Sequence, residues 1–263
     1  MRAFASLLAI SLALAAPAAA APRRVASLNL CTDELLLLLA APEQIASVTH
    51  LAQQEAETPL WRQARLYPRN DGSLVSVAPL RPDLVVTMGG GGGADRLRIA
   101  RRLGIAIVDL PFAASLADVE AAIVRLAAAL GRRRAGAALL ARIAELKASR
   151  PARARDAIWL GGGGRTVSAT GLEAQWMALA GLRQRPVQGD RVSLETLLVR
   201  PPTVLLRSDY RQGQYSSEQR WLSHPAARRG GTWRTLATDG RRWTCMGPLL
   251  IDEIHRLRGA LAR

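Results

Sequence analysis

Short apolar runs alternate with amphipathic stretches along most of the chain. Arg24–Leu28, Ile45–Thr49, Asp83–Met88 and Ile105–Leu110 are rich in Val, Ile and Leu, which predicts buried strands. Between them, Asp33–Ala40, Leu74–Leu80 and Ala94–Leu103 predict helices. Thr32 is positioned to cap the first, Pro42 and Pro82 stop the first two, and Gly104 closes the third. Ser115 with Asp118 opens a further helix that runs to Leu130. Strand followed by helix followed by strand predicts a parallel sheet with helices on its faces. The polar stretch 54–73, with Trp61 and Tyr67, reads as a loop containing at most a turn of helix.

The stretch Arg132–Arg150 has apolar residues at Ala135, Ala138, Leu139, Ile143 and Leu146, a helical stripe between Gly131 and Pro151. About 19 residues at about 1.5 Å each span roughly 28 Å, enough to join two small domains. Beyond it the plan repeats. Ala157–Leu160, Thr203–Arg207 and Thr232–Ala237 predict strands; Leu172–Ala180, Ser193–Val199 and Pro248–Ala262 predict helices. The segment from Leu74 to Val86 is echoed by Leu194 to Leu206: short helix, proline turn, buried strand. The expected class is therefore α/β, with mostly parallel sheets in two lobes, 22–131 and 151–263, joined by one long backbone helix, 132–150.

Residues 1–21 combine one arginine, an apolar run and a small-residue end, the pattern of a cleaved secretory signal peptide. The mature protein is expected in the periplasm as a monomer. The net charge of +15 suggests a nucleic-acid partner. Against this, Lys147 is the lone lysine among 36 basic residues, and the arginines are scattered. The charge is read as compositional background, and no nucleic-acid partner is expected. Cys31 and Cys245 are the two cysteines of the chain. In an oxidising compartment a disulfide between them is favoured; the alternative is a Cys31 thiolate that contacts a metal centre.

Ligands of open α/β sheets bind beyond the carboxyl ends of the strands. That rim holds Asn29, Cys31, Thr32 and His50 in the first lobe, with Gly90 in the run Gly89–Gly93. In the second lobe it holds Arg165, Arg207, Tyr210 and Trp243. The glycine runs lack the spaced pattern of a dinucleotide loop, so they are read as turns that leave room for a ligand. No serine-nucleophile or zinc-protease motif is present, and the histidines are far apart in sequence. No catalytic residues, resident metal or cofactor are expected. The competing class is an exported two-lobe enzyme using a metal or nucleotide.

The segments RVASLNLCTDELLLLLAAPEQIASVTHLA, SLVSVAPLRPDLVVT, SLADVEAAIVRLAAALGRRRAGAALLARI, SLETLLVRPPTVLL, WLSHPA and WTCMGP, in that order, resemble the helical-backbone (class III) periplasmic substrate-binding proteins of ABC importers. The resemblance implies two Rossmann-like lobes, a ligand between them, and delivery to an inner-membrane permease. Cargo in this family is vitamin B12, a ferric siderophore or haem. The resemblance further implies a docking glutamate on each lobe. The match falls on Glu195 in the second lobe, whereas Val75 occupies the corresponding position of the first. The N-L-C-T and W-T-C loops look most like the B12 branch, with Trp61, Trp159, Tyr210 and Trp243 as candidate walls for a corrin. Arg165, Arg207 and Arg211 would suit an anionic siderophore.

Overall fold

Val25–Ser27 (β1), Ile45–Thr49 (β2), Arg69–Asn70 (β3), Leu84–Met88 (β4) and Ala106–Leu110 (β5) form one sheet in the order β3-β2-β1-β4-β5. Arg155–Leu160 (β6), Leu182–Gln184 (β7), Val204–Asp209 (β8) and Arg234–Asp239 (β9) form a second, ordered β7-β6-β8-β9. Every pairing between these strands is parallel. The computed structural model describes residues 21–90, 93–209, 224–225 and 233–263. Residues 1–20 of the expected leader, with Tyr210 and Arg211, fall outside the described residues.

The helices are Leu30–Leu39 (α1), Trp61–Ala64 (α2), Leu74–Val77 (α3), Ala94–Arg102 (α4), Leu116–Ala129 (α5), Arg133–Ala148 (α6), Leu172–Leu179 (α7), Leu194–Val199 (α8), Gly240–Thr244 (α9) and Leu250–Ala262 (α10). α1 starts earlier than its sequence suggests. Asn29 is the cap, its side chain accepting from Cys31 N–H, while Thr32 lies inside the first turn and donates to the Asn29 carbonyl. Trp243 and Thr244, expected in a loop, belong to a helix that starts at Gly240 because Asp239 caps it by accepting from Arg241 N–H.

Both sheets divide their side chains by the two-residue period of a strand. Leu84 and Val86 of β4 point into the main core, whereas Val85 joins Ala26, Leu74, Val77, Ala100 and Ile105 on the other face. In the same way Val204 and Leu206 of β8 face the main core, and Leu205 joins Ile158, Leu160, Val192, Leu197 and Trp233 on the far side. The main core runs without a break through both halves of the chain. It includes α1 and α5 from one side, α7 and α10 from the other, and Leu139, Ile143 and Leu146 of α6 between them.

α6 is 16 residues long, roughly 24 Å, and slightly shorter than the stretch 132–150. Its buried stripe uses Gly136, while Ala138 is exposed, contrary to the apolar pattern. The reason is close helix packing: a Cβ built on Gly136 would lie 2.6 Å from the Ala127 Cβ of α5. In an isolated helix, glycine to alanine gains about 1 kcal/mol. Here Gly136→Ala is expected to destabilise by about 1–3 kcal/mol through overpacking, measured by urea denaturation. A gain in stability would show that α5 and α6 are not in this contact. At the far end, Arg258 of α10 donates to the carbonyls of Leu146 and Leu179, tying together the ends of α6 and α7.

Candidate ligand-binding cleft

In each sheet the chain leaves its first strand in one direction and later returns to the other side of it. This creates a switch point between β1 and β4, and another between β6 and β8. At such points adjacent loops diverge and leave a crevice beyond the carboxyl ends of the strands. The first crevice is bordered by Asn29–Cys31 and Met88–Gly90, the second by Gly161–Arg165 and the end of β8. The two rims meet. Cys31 in the first turn of α1 is disulfide-bonded to Cys245 at the end of α9, with Cα atoms 5.2 Å apart. Beside it, the Arg241 guanidinium donates to the Glu55 carbonyl oxygen at 2.7 Å. Leu116 N–H, in the open first turn of α5, donates to the Gln175 side chain of α7 at 3.0 Å.

The structure separates the candidate residues by what their side chains already do. Asn29 is half-buried and its oxygen caps α1. Thr32 is fully buried against Ser27, which makes it a structural residue rather than one that touches ligand. Trp243 is also removed from the wall: it is 5% exposed and its indole N–H donates to Thr238. Trp159 is half-buried, meets Trp243 edge-on at 6.3 Å, and has a buried indole N–H without a hydrogen-bond acceptor among the described residues. Trp61 is not a bare plate, because the guanidiniums of Arg62 and Arg65 each lie 4.4 Å from its ring centroid. These are cation–π contacts that a flat ligand would have to displace.

His50 is exposed at the end of β2, its Nδ1 3.4 Å from the Asn70 carbonyl. Gly90 is exposed and donates its N–H to Asp109. Arg165 is exposed and paired with Asp190 at 3.5 Å. Arg207 is half-buried near the end of β8. Cys31 presents a bonded sulfur to the crevice, so the thiolate alternative does not apply to this form. Among the described residues no group of three His, Cys, Asp or Glu side chains is gathered as a metal site.

Two features escaped the sequence reading. Phe112, 70% exposed after β5, covers the Gly89 backbone; a Cβ on Gly89 would meet its ring at 2.1 Å. An exposed aromatic just past a strand is legible only once the strand order is known. The second feature is a pair of buried acids, Asp33 and Glu34, on the inward face of α1. Burial raises Asp33 to about 7 against the opposing hydrogen bonds from Ser27 and Thr49. Burial raises Glu34 to about 8, against the Thr58 hydrogen bond, with the Asp33 charge adding to the rise and Arg242 opposing it.

A carboxyl whose folded pKa is raised holds a proton that the unfolded chain has released. Its contribution to stability is complete below about pH 4 and is lost as pH rises through about 7 and 8. The unfolding free energy should therefore fall between pH 5 and pH 8.5. In an Asp33→Asn, Glu34→Gln variant that decline should flatten. Equal slopes in urea titrations of the two proteins would exclude these acids as its source.

At the other side of each sheet, Val75 and Glu195 occupy the second position of α3 and α8, after the capping serines Ser73 and Ser193. Both are exposed, and Glu195 has no ion-pair partner among the described residues.

No family model matches the chain, and no curated protein matches it. Solved structures do. The periplasmic haem-binding protein HutB of Vibrio cholerae is similar with a TM-score of 0.69 and 17% identity, over 91% of this chain and 99% of that one. The periplasmic haem-binding protein RhuT of Roseiflexus sp. RS-1 is similar with a TM-score of 0.64 and 22% identity, over 90% and 98%. The periplasmic vitamin B12-binding protein BtuF of Vibrio cholerae is similar with a TM-score of 0.61 and 17% identity, over 92% and 97%. The chain has the two-sheet fold of these periplasmic binding proteins, over nearly its whole length.

Proposed function

We propose that the protein is a periplasmic solute receptor that holds a metal-chelate nutrient between two lobes and passes it to an ABC importer. The observation that carries this reading is the meeting of two switch-point crevices, one per sheet, held together by the Cys31–Cys245 disulfide. In this reading residues 22–131 and 151–263 are the lobes, 132–150 the backbone between them, and 1–21 a leader removed at export. The protein acts as a binder without turnover. Glu195 docks the second lobe on an arginine of the permease, and the exposed Val75 makes the first lobe's contact apolar.

A corrinoid is the preferred cargo, with a ferric siderophore or haem as the alternative of the same fold. With Cys31 bonded to Cys245, a ligand that arrives with its metal already coordinated suits the crevice better than one that needs a thiolate. Phe112, Met88 and Trp159 supply apolar surface for a macrocycle, and Arg165 and Arg207 sit where anionic groups would emerge. Solved relatives in fold include haem and vitamin B12 binders, which supports the chelate class without ranking its members.

The test is a tryptophan-fluorescence titration of the purified mature protein with cyanocobalamin, haemin and ferrichrome in parallel. Saturable one-to-one quenching by cyanocobalamin alone is expected. Quenching by haemin or ferrichrome alone would change the cargo and keep the receptor. A flat response to all three would remove the reading in favour of an exported enzyme.

A further inference from the structure

Against the Cys31–Cys245 disulfide lies a narrow cavity of about 30 Å³. Its walls come from both halves of the chain: Cys31, Glu34 and Met88 from one side, Cys245, Gly247 and Pro248 from the other. The cavity is large enough for one or two water-sized groups, and its lining is apolar apart from one side chain. That side chain is Glu34, a wall residue that is 2% exposed.

Hydrogen bonds fix which oxygen of Glu34 is spoken for. Leu60 N–H donates to the Thr58 hydroxyl oxygen at 3.3 Å, and the hydroxyl's own hydrogen remains to be given. It goes to Glu34 Oε1, at 2.7 Å. With Oε1 accepting from Thr58, a proton held by the carboxyl resides on Oε2, which has no partner among the described residues. The groups around Glu34 are few. Asp33 is its neighbour on α1, Arg242 approaches from α9, and α5 contributes only Val119 and Ala122. Arg242 is itself engaged with Asp239 and the Leu249 carbonyl. Burial favours the neutral acid at neutral pH.

Building on the receptor reading, we propose that Glu34 is a specificity-determining residue that donates a hydrogen bond from Oε2 to an acceptor oxygen, amide or carboxylate, at the tip of a ligand side arm seated in the cavity against the Cys31–Cys245 disulfide. A neutral acid in an apolar pocket selects such an arm in two ways. It rewards an oxygen acceptor, and it penalises an arm that leaves the buried donor unpaired. Thr58 is a positioning residue, since its hydroxyl engages Oε1 and leaves Oε2 to carry the proton.

The experiment titrates wild type, Glu34→Gln and Glu34→Leu with whichever of cyanocobalamin, haemin and ferrichrome quenches the wild type, at pH 7 and pH 9.5. Glutamine keeps an acceptor for Thr58 and a donor for the cavity, so its affinity is expected within about twofold of wild type at both pH values. Wild type should weaken about tenfold at pH 9.5, as the acid loses its proton, and Glu34→Leu about tenfold already at pH 7. The proposal is overturned if folded Glu34→Leu binds as wild type does, or if wild type and Glu34→Gln share one pH profile. The second comparison decides the matter even if the leucine variant does not fold. If wild type binds none of the three probes, the receptor reading itself fails, and this proposal falls with it. That outcome is distinct from normal wild-type binding that ignores position 34.

Discussion

Replacing Cys31 and Cys245 together by serine is expected to cost the folded state about 2–5 kcal/mol, the upper part of the range for disulfides. The bond joins residues 214 positions apart, and loop-closure entropy removed from the unfolded chain grows with that separation. It also fastens the start of α1 to the end of α9, beside the Arg241 contact to the Glu55 carbonyl. Urea titrations of wild type with and without reductant, compared with the double variant, measure the effect. Reduced wild type should match the variant. If oxidised and reduced protein unfold at the same urea concentration, the bond contributes no stability and its place at the crevice must be explained by ligand contact alone.

Trp176→Ala should be nearly as damaging, costing about 3–5 kcal/mol. Trp176 is fully buried on α7 and is the largest such side chain among the described residues. Its indole N–H donates to the Met246 carbonyl at 2.9 Å. Met246 follows Cys245 and adopts a left-handed backbone, φ 48°, which is uncommon for non-glycine residues. Trp176 therefore fills the core and helps hold the turn that presents Cys245. Trp176→Phe separates the two contributions: it keeps most of the volume and drops the hydrogen bond. Its expected cost is smaller, about 1–3 kcal/mol. Chemical denaturation of both variants reads the difference; a mild loss from alanine would mean that the surrounding helices collapse into the void.

The sequence made the framework legible where burial and periodicity agree. Leu84–Met88 and Val204–Asp209 are strands because both faces of each are covered, so apolar residues run consecutively. The echo between the halves is equally real: Ser73 and Ser193 each cap a short helix that precedes one of these strands. What stayed hidden depends on tertiary contacts. β3 and β7 are short and partly polar. Asn70 is buried because it donates to the Ser27 carbonyl and Ser47 hydroxyl, and Gln184 because it accepts from Trp159 N–H. No local pattern announces such bonds. The site was legible as a rim and not as a set of contacts. Thr32 in the first turn of α1 and Trp243 in α9 stand beside the crevice, yet their side chains turn inward to Ser27 and Thr238. Glu34 was invisible for the opposite reason, being a carboxylate in a run of leucines where helical periodicity assigns it no special face.

The shared core has a consequence for how the chain can be divided. Val25 and Leu36 belong to the same apolar cluster as Trp176 and Leu257, with Ile143 between them. A cut at Pro151 would leave each fragment with a broad apolar face and nothing to cover it. The sheets look separable on a topology diagram, but the helices packed on them share one interior. The smallest unit that buries its own hydrophobic surface is the pair of sheets together with α6.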